Sequence, residues 1–143
     1  MSYCTQEDLV DRFGTARLVQ LTDRTNKPAT TINPTMVAKH ITDASSMIDG
    51  YIGKRVQLPL AIVPPMLTKV AVDLAWYYLL GDAAGEKDPA TLAYRDAIRW
   101  LQDVAKGLIV IGDEGDGVAP AGGGEVKLSG PQRIFDRETL AGL

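Results

Sequence analysis

Three times in this chain a proline stands where a helix can begin, and an apolar run with no further proline follows it. Asn33-Pro34 and Asp88-Pro89 each join a side chain able to accept from free backbone N–H groups to the one residue whose missing N–H costs nothing at the first helical position. Pro65 opens the third run. Behind Pro34, the residues Val37, Ile41, Ala44, Ile48 and Ile52 recur at spacings of three and four, the pattern of one buried helix face. Behind Pro65, as far as Leu80, the polar residues are Thr68, Lys69 and Asp73, the last two an i,i+4 ion pair. Such an apolar segment is expected to be the central helix. Behind Pro89 a helix is expected as far as Gly107. Its expected core stripe is Tyr94, Ile98, Leu101, Ala105 and Leu108, with Arg95, Asp96, Arg99 and Asp103 on the wet side.

Two shorter helices precede these. Thr5 with Asp8 three residues on is a version of the capping box, and Leu9, Val10 and Phe13 follow before Gly14. Thr15 opens the second, through Leu18, Val19 and Leu21. Asp23 to Asn33 is polar, contains Pro28 and reads as a loop. Lys54 to Pro65 is too rich in proline for a helix and too apolar for a solvated loop, so an extended strap lying on the body is expected. Leu108 to Ile111 is the one candidate strand. The expected fold is all-α: a small bundle of about four to five helices with an extended C-terminal tail.

The 143 residues suit one domain, and a 45% apolar content suffices for a core. Residues 1–111 hold twelve Lys/Arg and twelve Asp/Glu; residues 112–143 hold three against six, so the net charge of −3 lies wholly in the tail. The chain divides accordingly into a helical body (1–111), a Gly-rich linker (112–124) and a C-terminal peptide (125–143). Six glycines in the linker leave it unable to offset the entropy of a fixed fold alone, and its average span is roughly 20 Å. The peptide is apolar again, with Val126, Leu128, Ile134, Phe135 and Leu140 as its anchors. Phe135 and Leu140 can staple a helical turn capped by Asp136. An apolar peptide beyond a flexible linker is expected to dock on a partner; the simpler alternative is that it folds back on its own body.

Several chemistries find no residues to carry them. His40 is the single histidine and Cys4 the single cysteine, so zinc sites built on them lack ligands, Cys–His nucleophile pairs reduce to that one combination, and no internal disulfide forms. His40 lies one step off its helix stripe and is read as a surface or subunit contact; Asp43 and Asp49 are read as the wet side of the same helix. Lys54 follows Gly53 without an upstream Gly-rich loop, so no phosphate cradle is completed. The run from Asp113 to Gly117 has a calcium-loop flavour, but its twelfth position is Gly124 where a bidentate Glu is needed. No cofactor and no catalytic residue is therefore expected. The start MSYCTQEDL has neither a basic nor an apolar leader region, and the longest uncharged stretch, Val56 to Thr68, is broken by three prolines, so neither secretion nor membrane insertion is expected. The first two helices have the outline of a helix-turn-helix with Gly14 at the turn. Only Arg17 and Gln20 would then face a groove, and the body has no basic stripe, so a DNA-binding regulator is the alternative reading. Trp76, Tyr77 and Tyr78 point about 100° apart on a helix. They form either a broad core-facing arc or a subunit contact, and Trp76, Tyr77 and Trp100 are the candidates for such an interface.

Beyond these residue-level readings, TQEDLVDRFG followed by LVQLTD resembles the start of the head-tail connector (adaptor) family of Mu-like tailed phages. So do DASSMIDGYIGKR, the LPLAIVPP strap followed by VAVDLAWYYLL, and the terminal RIFDRETLAGL, in the same order along nearly the whole chain. The Gly-rich insert before residue 125 is longer than that pattern. The resemblance implies an all-helical virion protein without catalytic residues. It implies a ring of twelve copies at the head-tail neck, between the portal and the tail or stopper, assembled in the host cytoplasm and leaving a channel through which DNA passes without sequence-specific binding.

Overall fold

Helix starts and stops in the computed structural model, which describes residues 1–111, follow the local chemistry closely. The order is α1 (Gln6–Phe13), α2 (Thr15–Thr22), α3 (Pro34–Ile52), α4 (Pro65–Leu80), a 3-10 turn (Gly81–Ala83) and α5 (Pro89–Lys106), with no strand among the described residues. The expected all-α class is thus what the chain adopts. Thr5 and Asp8 close a reciprocal capping box on α1, and the Asn33 side chain accepts from the N–H groups of Thr35 and Met36. Asp88 accepts from the Ala90 N–H at 2.8 Å. Only Gly14 separates α1 from α2. Its φ of +86° lets one residue end a helix and begin the next, and its N–H donates to the Val10 carbonyl at 2.8 Å.

The body is a three-helix layer, α3, α4 and α5, with the α1–α2 hairpin laid on it. Tyr77 near the end of α4 stacks on Tyr94 near the start of α5, while Arg55, just past α3, donates to the Ala105 carbonyl at the end of α5. Helix α4 therefore runs antiparallel to the other two. As its composition requires, it is the centre: Leu67, Val70, Ala71, Val72, Leu74, Ala75, Trp76 and Leu79 are all buried. Each large side chain among them contributes about 1.5–3 kcal/mol by leaving water. The α3 stripe Val37, Ile41, Ala44, Ile48 and Ile52 is buried as its spacing dictates.

The α5 stripe differs from expectation. The buried residues are Ala90, Thr91, Ala97, Leu101 and Val104, while Tyr94, Ile98 and Ala105 sit at the margin and Leu108 is 74% exposed. The buried face of α5 runs through the small residues Ala90 and Ala97, and the larger Tyr94 and Ile98 lie at its flanks. The helix also stops before Leu108: Gly107, at φ +80°, provides the left-handed cap. The candidate strand Leu108 to Ile111 is irregular chain, with Val110 66% exposed.

The connections are anchored by single side chains. Thr22, fully buried, donates to the Leu18 carbonyl and accepts from the Asn33 N–H, tying the end of α2 to the start of α3. Between them the Asp23 carboxylate accepts from the N–H groups of Thr25, Asn26, Thr30 and Thr31 and from the Asn26 amide. The bond from Thr30 first, then those from Asn26 and Thr31, hold its pKa well below the usual carboxylate range. The strap 54–64 lies on the core through Val56, Leu58, Leu60 and Val63, as expected, with Ile62 turned outward. Tyr3 and Cys4 are buried ahead of α1; the Tyr3 hydroxyl donates to Asp49, which is thus a bonded partner rather than simply a wet residue of α3.

Candidate functional site

Asp73 occupies a position that an apolar helix would ordinarily give to Leu. It is 3% exposed, yet both oxygens are satisfied: Oδ1 accepts from Arg12 Nη2 at 2.8 Å and Oδ2 from Lys69 Nζ at 3.0 Å. Lys69 comes from one turn earlier on α4, and Arg12 from the last turn of α1. The two cationic side chains remain 39% and 54% exposed, so desolvation falls mainly on the carboxylate. The charge-assisted bond from Arg12 fixes the α1–α2 hairpin to the central helix.

Beside this triad lies a cleft of about 320 Å³, walled by α1, α2, α4 and the start of α5. Phe13 and Trp76 stack at 3.9 Å with their planes 9° apart. The Arg12 guanidinium lies 5.5 Å from the Phe13 ring centroid, and that of Arg17 lies 5.9 Å from the Trp76 ring. Gln20, Leu21, Leu80, Pro89 and Ala93 complete much of the wall. Its carboxylates already have partners, Asp73 with the two cations and Asp88 Oδ1 with the Ala90 N–H. What the cleft offers is apolar and aromatic surface, guanidinium donors and the second oxygen of Asp88. Among the lining residues there is no nucleophile with an adjacent base.

A second group of aromatics lies on the opposite flank of α4. Tyr77 stacks on Tyr94 at 4.1 Å, and Tyr78 meets both edge-on. Burial first, then the nearby Tyr94 and Asp43, push the Tyr78 hydroxyl up to about 12. His40 Nδ1 sits 3.8 Å from Asp43 Oδ2, and partial burial holds the imidazole below its ordinary pKa despite that carboxylate. The Cys4 thiol is pushed up to about 12 by burial and by Asp8. Among the described residues, no group of three or more His, Cys, Asp or Glu is placed to hold a metal ion.

Of the residues considered for a subunit interface, Trp76 is 5% exposed and spends its ring on Phe13 inside the body, while Tyr77 and Trp100 are half-buried. Trp76 is thus covered by the chain's own helices, while Tyr77 and Tyr78 are covered only in part. The five tail anchors Val126, Leu128, Ile134, Phe135 and Leu140, and the linker 112–124, lie outside the described residues. Arg17 and Gln20, the side chains that a helix-turn-helix would aim at DNA, both line the cleft. Sequence patterning found Lys69 with Asp73 but missed Arg12, which is 61 positions from Asp73 (73 − 12). The signal was present in one form: a lone acid in an otherwise apolar helix needs more partners than one exposed lysine supplies.

Residues 1–111 thus form a small all-α body with a cleft beside one buried, doubly paired carboxylate. No helix among the described residues is long and apolar enough to cross a membrane. The chain belongs to the family described as Bacteriophage Mu, Gp36, whose sequence profile matches residues 3–129. It is 34% identical over 142 residues to gene product J of Escherichia phage Mu, covering 96% of each chain. It is 32% identical over 143 residues to the Mu-like prophage FluMu protein gp36 of Haemophilus influenzae, covering 99% of this chain and 97% of that one. The expected kinship with Mu-like phages holds.

Proposed function

We propose that this chain is a structural virion protein whose copies form a ring joining the head portal to the tail or stopper at the phage neck. The observation that carries the reading is membership of the Mu Gp36 family along nearly the full chain. Three features support it. The body is charge-neutral over residues 1–111, which suits a collar through which DNA slides, since a tight hold on duplex needs several neutralised phosphates. Ile62, Met66, Leu108 and Val110 are exposed apolar residues at the end of the bundle where α4 begins and α5 ends, the end from which residues 112–143 leave. The half-buried Tyr77 and Trp100 remain available to a neighbouring copy.

In this reading the C-terminal peptide docks through Val126, Leu128, Ile134, Phe135 and Leu140, the ring holds twelve copies, and neither metal nor cofactor takes part. Electron microscopy of the purified protein and of virion necks is the test. Rings of uniform copy number that match a layer of density below the portal are expected. A monomer at every concentration, with no corresponding neck density, would overturn the proposal.

A further inference from the structure

The cleft beside Asp73 and the peptide beyond the linker have complementary chemistry. The cleft is lined by Phe13, Trp76, Leu21 and Leu80 with the guanidiniums of Arg12 and Arg17 and the carboxylates of Asp73 and Asp88; Arg12 and Asp73 pair with each other, which leaves one cation and one carboxylate. The cation is Arg17, which makes no salt bridge among the described residues. The carboxylate is Asp88, with Oδ1 committed to the Ala90 N–H. Residues 133–136 read cation, aliphatic, aromatic, anion: Arg133, Ile134, Phe135, Asp136. We infer that Ile134 and Phe135 of one copy enter this cleft on the next copy, with Asp136 on Arg17 and Arg133 on Asp88. The inference rests on the ring reading above and names the surface through which neighbouring copies hold each other.

Placement favours a second copy. The cleft is walled by the first turn of α5, whereas the chain leaves from the other end of that 18-residue helix, roughly 27 Å away. The stretch from Ile111 to Ile134 spans on average roughly 26 Å as a flexible chain, about the length of α5, so an occupant from the same copy would have to double back along the whole helix. A closed ring needs the other arrangement: each copy presents a donor at one end and an acceptor at the other, and the contact repeats head to tail until it closes. Two large apolar side chains with two flanking ion pairs also suit the cleft volume, which is that of a small ligand pocket. The Asp73 triad then has a role beyond the monomer, because Arg12 holds the α1–α2 wall of the acceptor in place.

The test uses the full chain. Gln20→Cys places a thiol on the cleft wall, and Arg137→Cys places one next to the proposed anchors while leaving them intact; Cys4 is buried and its thiol poorly ionised. Equal amounts of the two single variants are mixed, oxidised and run on denaturing gels, and sedimentation reports rings. A disulfide-linked pair of unlike chains is expected, reduced at least tenfold by Arg17→Asp in the cleft partner. Adding Asp136→Arg to the tail partner should restore it. Rings without a linked pair would overturn the cleft inference and leave the ring reading standing. Linkage only within one chain, when both thiols are placed together, would also overturn it and assign the cleft to the chain's own tail. A linked pair without rings at any concentration would uphold the contact and overturn the ring. Failure of the reversed charges to restore linkage would overturn the assignment of Asp136 to Arg17.

Discussion

Replacing both cations that hold Asp73, as Arg12→Met with Lys69→Met, leaves a carboxylate 3% exposed with neither oxygen paired. Stranding a buried charge in this way costs about 3–5 kcal/mol. At roughly 4 °C per kcal/mol for a body of this size, the melting temperature should fall by roughly 12–20 °C. The opposite substitution, Asp73→Leu, removes the desolvated group instead. Arg12 and Lys69, with side chains already 39% and 54% exposed, turn into water, and Leu suits a buried position on the most apolar helix. That change should stay within about 1 kcal/mol of the parent. Arg12→Met also removes the cation over Phe13, worth about 0.5–1 kcal/mol at an exposed site. The same two Met substitutions made in the Asp73→Leu background measure that part separately. Urea and thermal unfolding followed by far-ultraviolet dichroism give all four free energies. If Asp73→Leu loses as much stability as the double Met variant, the ion triad is strongly stabilising on balance, and the reasoning from desolvation is wrong.

Leu74→Asp should unfold the body outright, because Leu74 is wholly buried in α4 with no cation placed for it; a soluble variant melting with the parent would contradict the packing described here. His40 is held below its ordinary pKa chiefly by burial, so the folded state binds the proton less well than the unfolded chain. Stability should therefore fall as pH drops below about 6.5 and level off once pH lies below the folded-state value; His40→Gln should remove that part of the profile, and a parent profile flat from pH 7 to 5 would refute it. Truncation after Ile111 should leave a folded body with a nearly unchanged melting temperature that fails to join heads to tails, whereas unfolding or aggregation of the truncated chain would place the tail in the core. Duplex DNA should not bind tightly at physiological salt, and submicromolar affinity in a gel-shift titration would instead favour a DNA-binding regulator.

Local chemistry written in the sequence determined the helices of this protein. Asn33 and Asp88 cap, Pro34, Pro65 and Pro89 open, and the period of Val37, Ile41, Ala44, Ile48 and Ile52 selects the buried face of α3; each effect operates within one or two turns and needs no partner to be legible. The Lys69–Asp73 pair was legible for the same reason. What the sequence left open depends on which surfaces meet. The buried face of α5, through Ala90, Ala97, Leu101 and Val104, was decided by its packing against α3 and α4, which the apolar period of α5 alone does not contain. Trp76 went inside because Phe13 from another helix stacks on it, and Asp49 gained the Tyr3 hydroxyl across 46 positions. At the cleft, Arg12 crosses from α1 to Asp73 on α4. A buried charge can draw its partner from anywhere in the chain, and only the packed structure brings the two together.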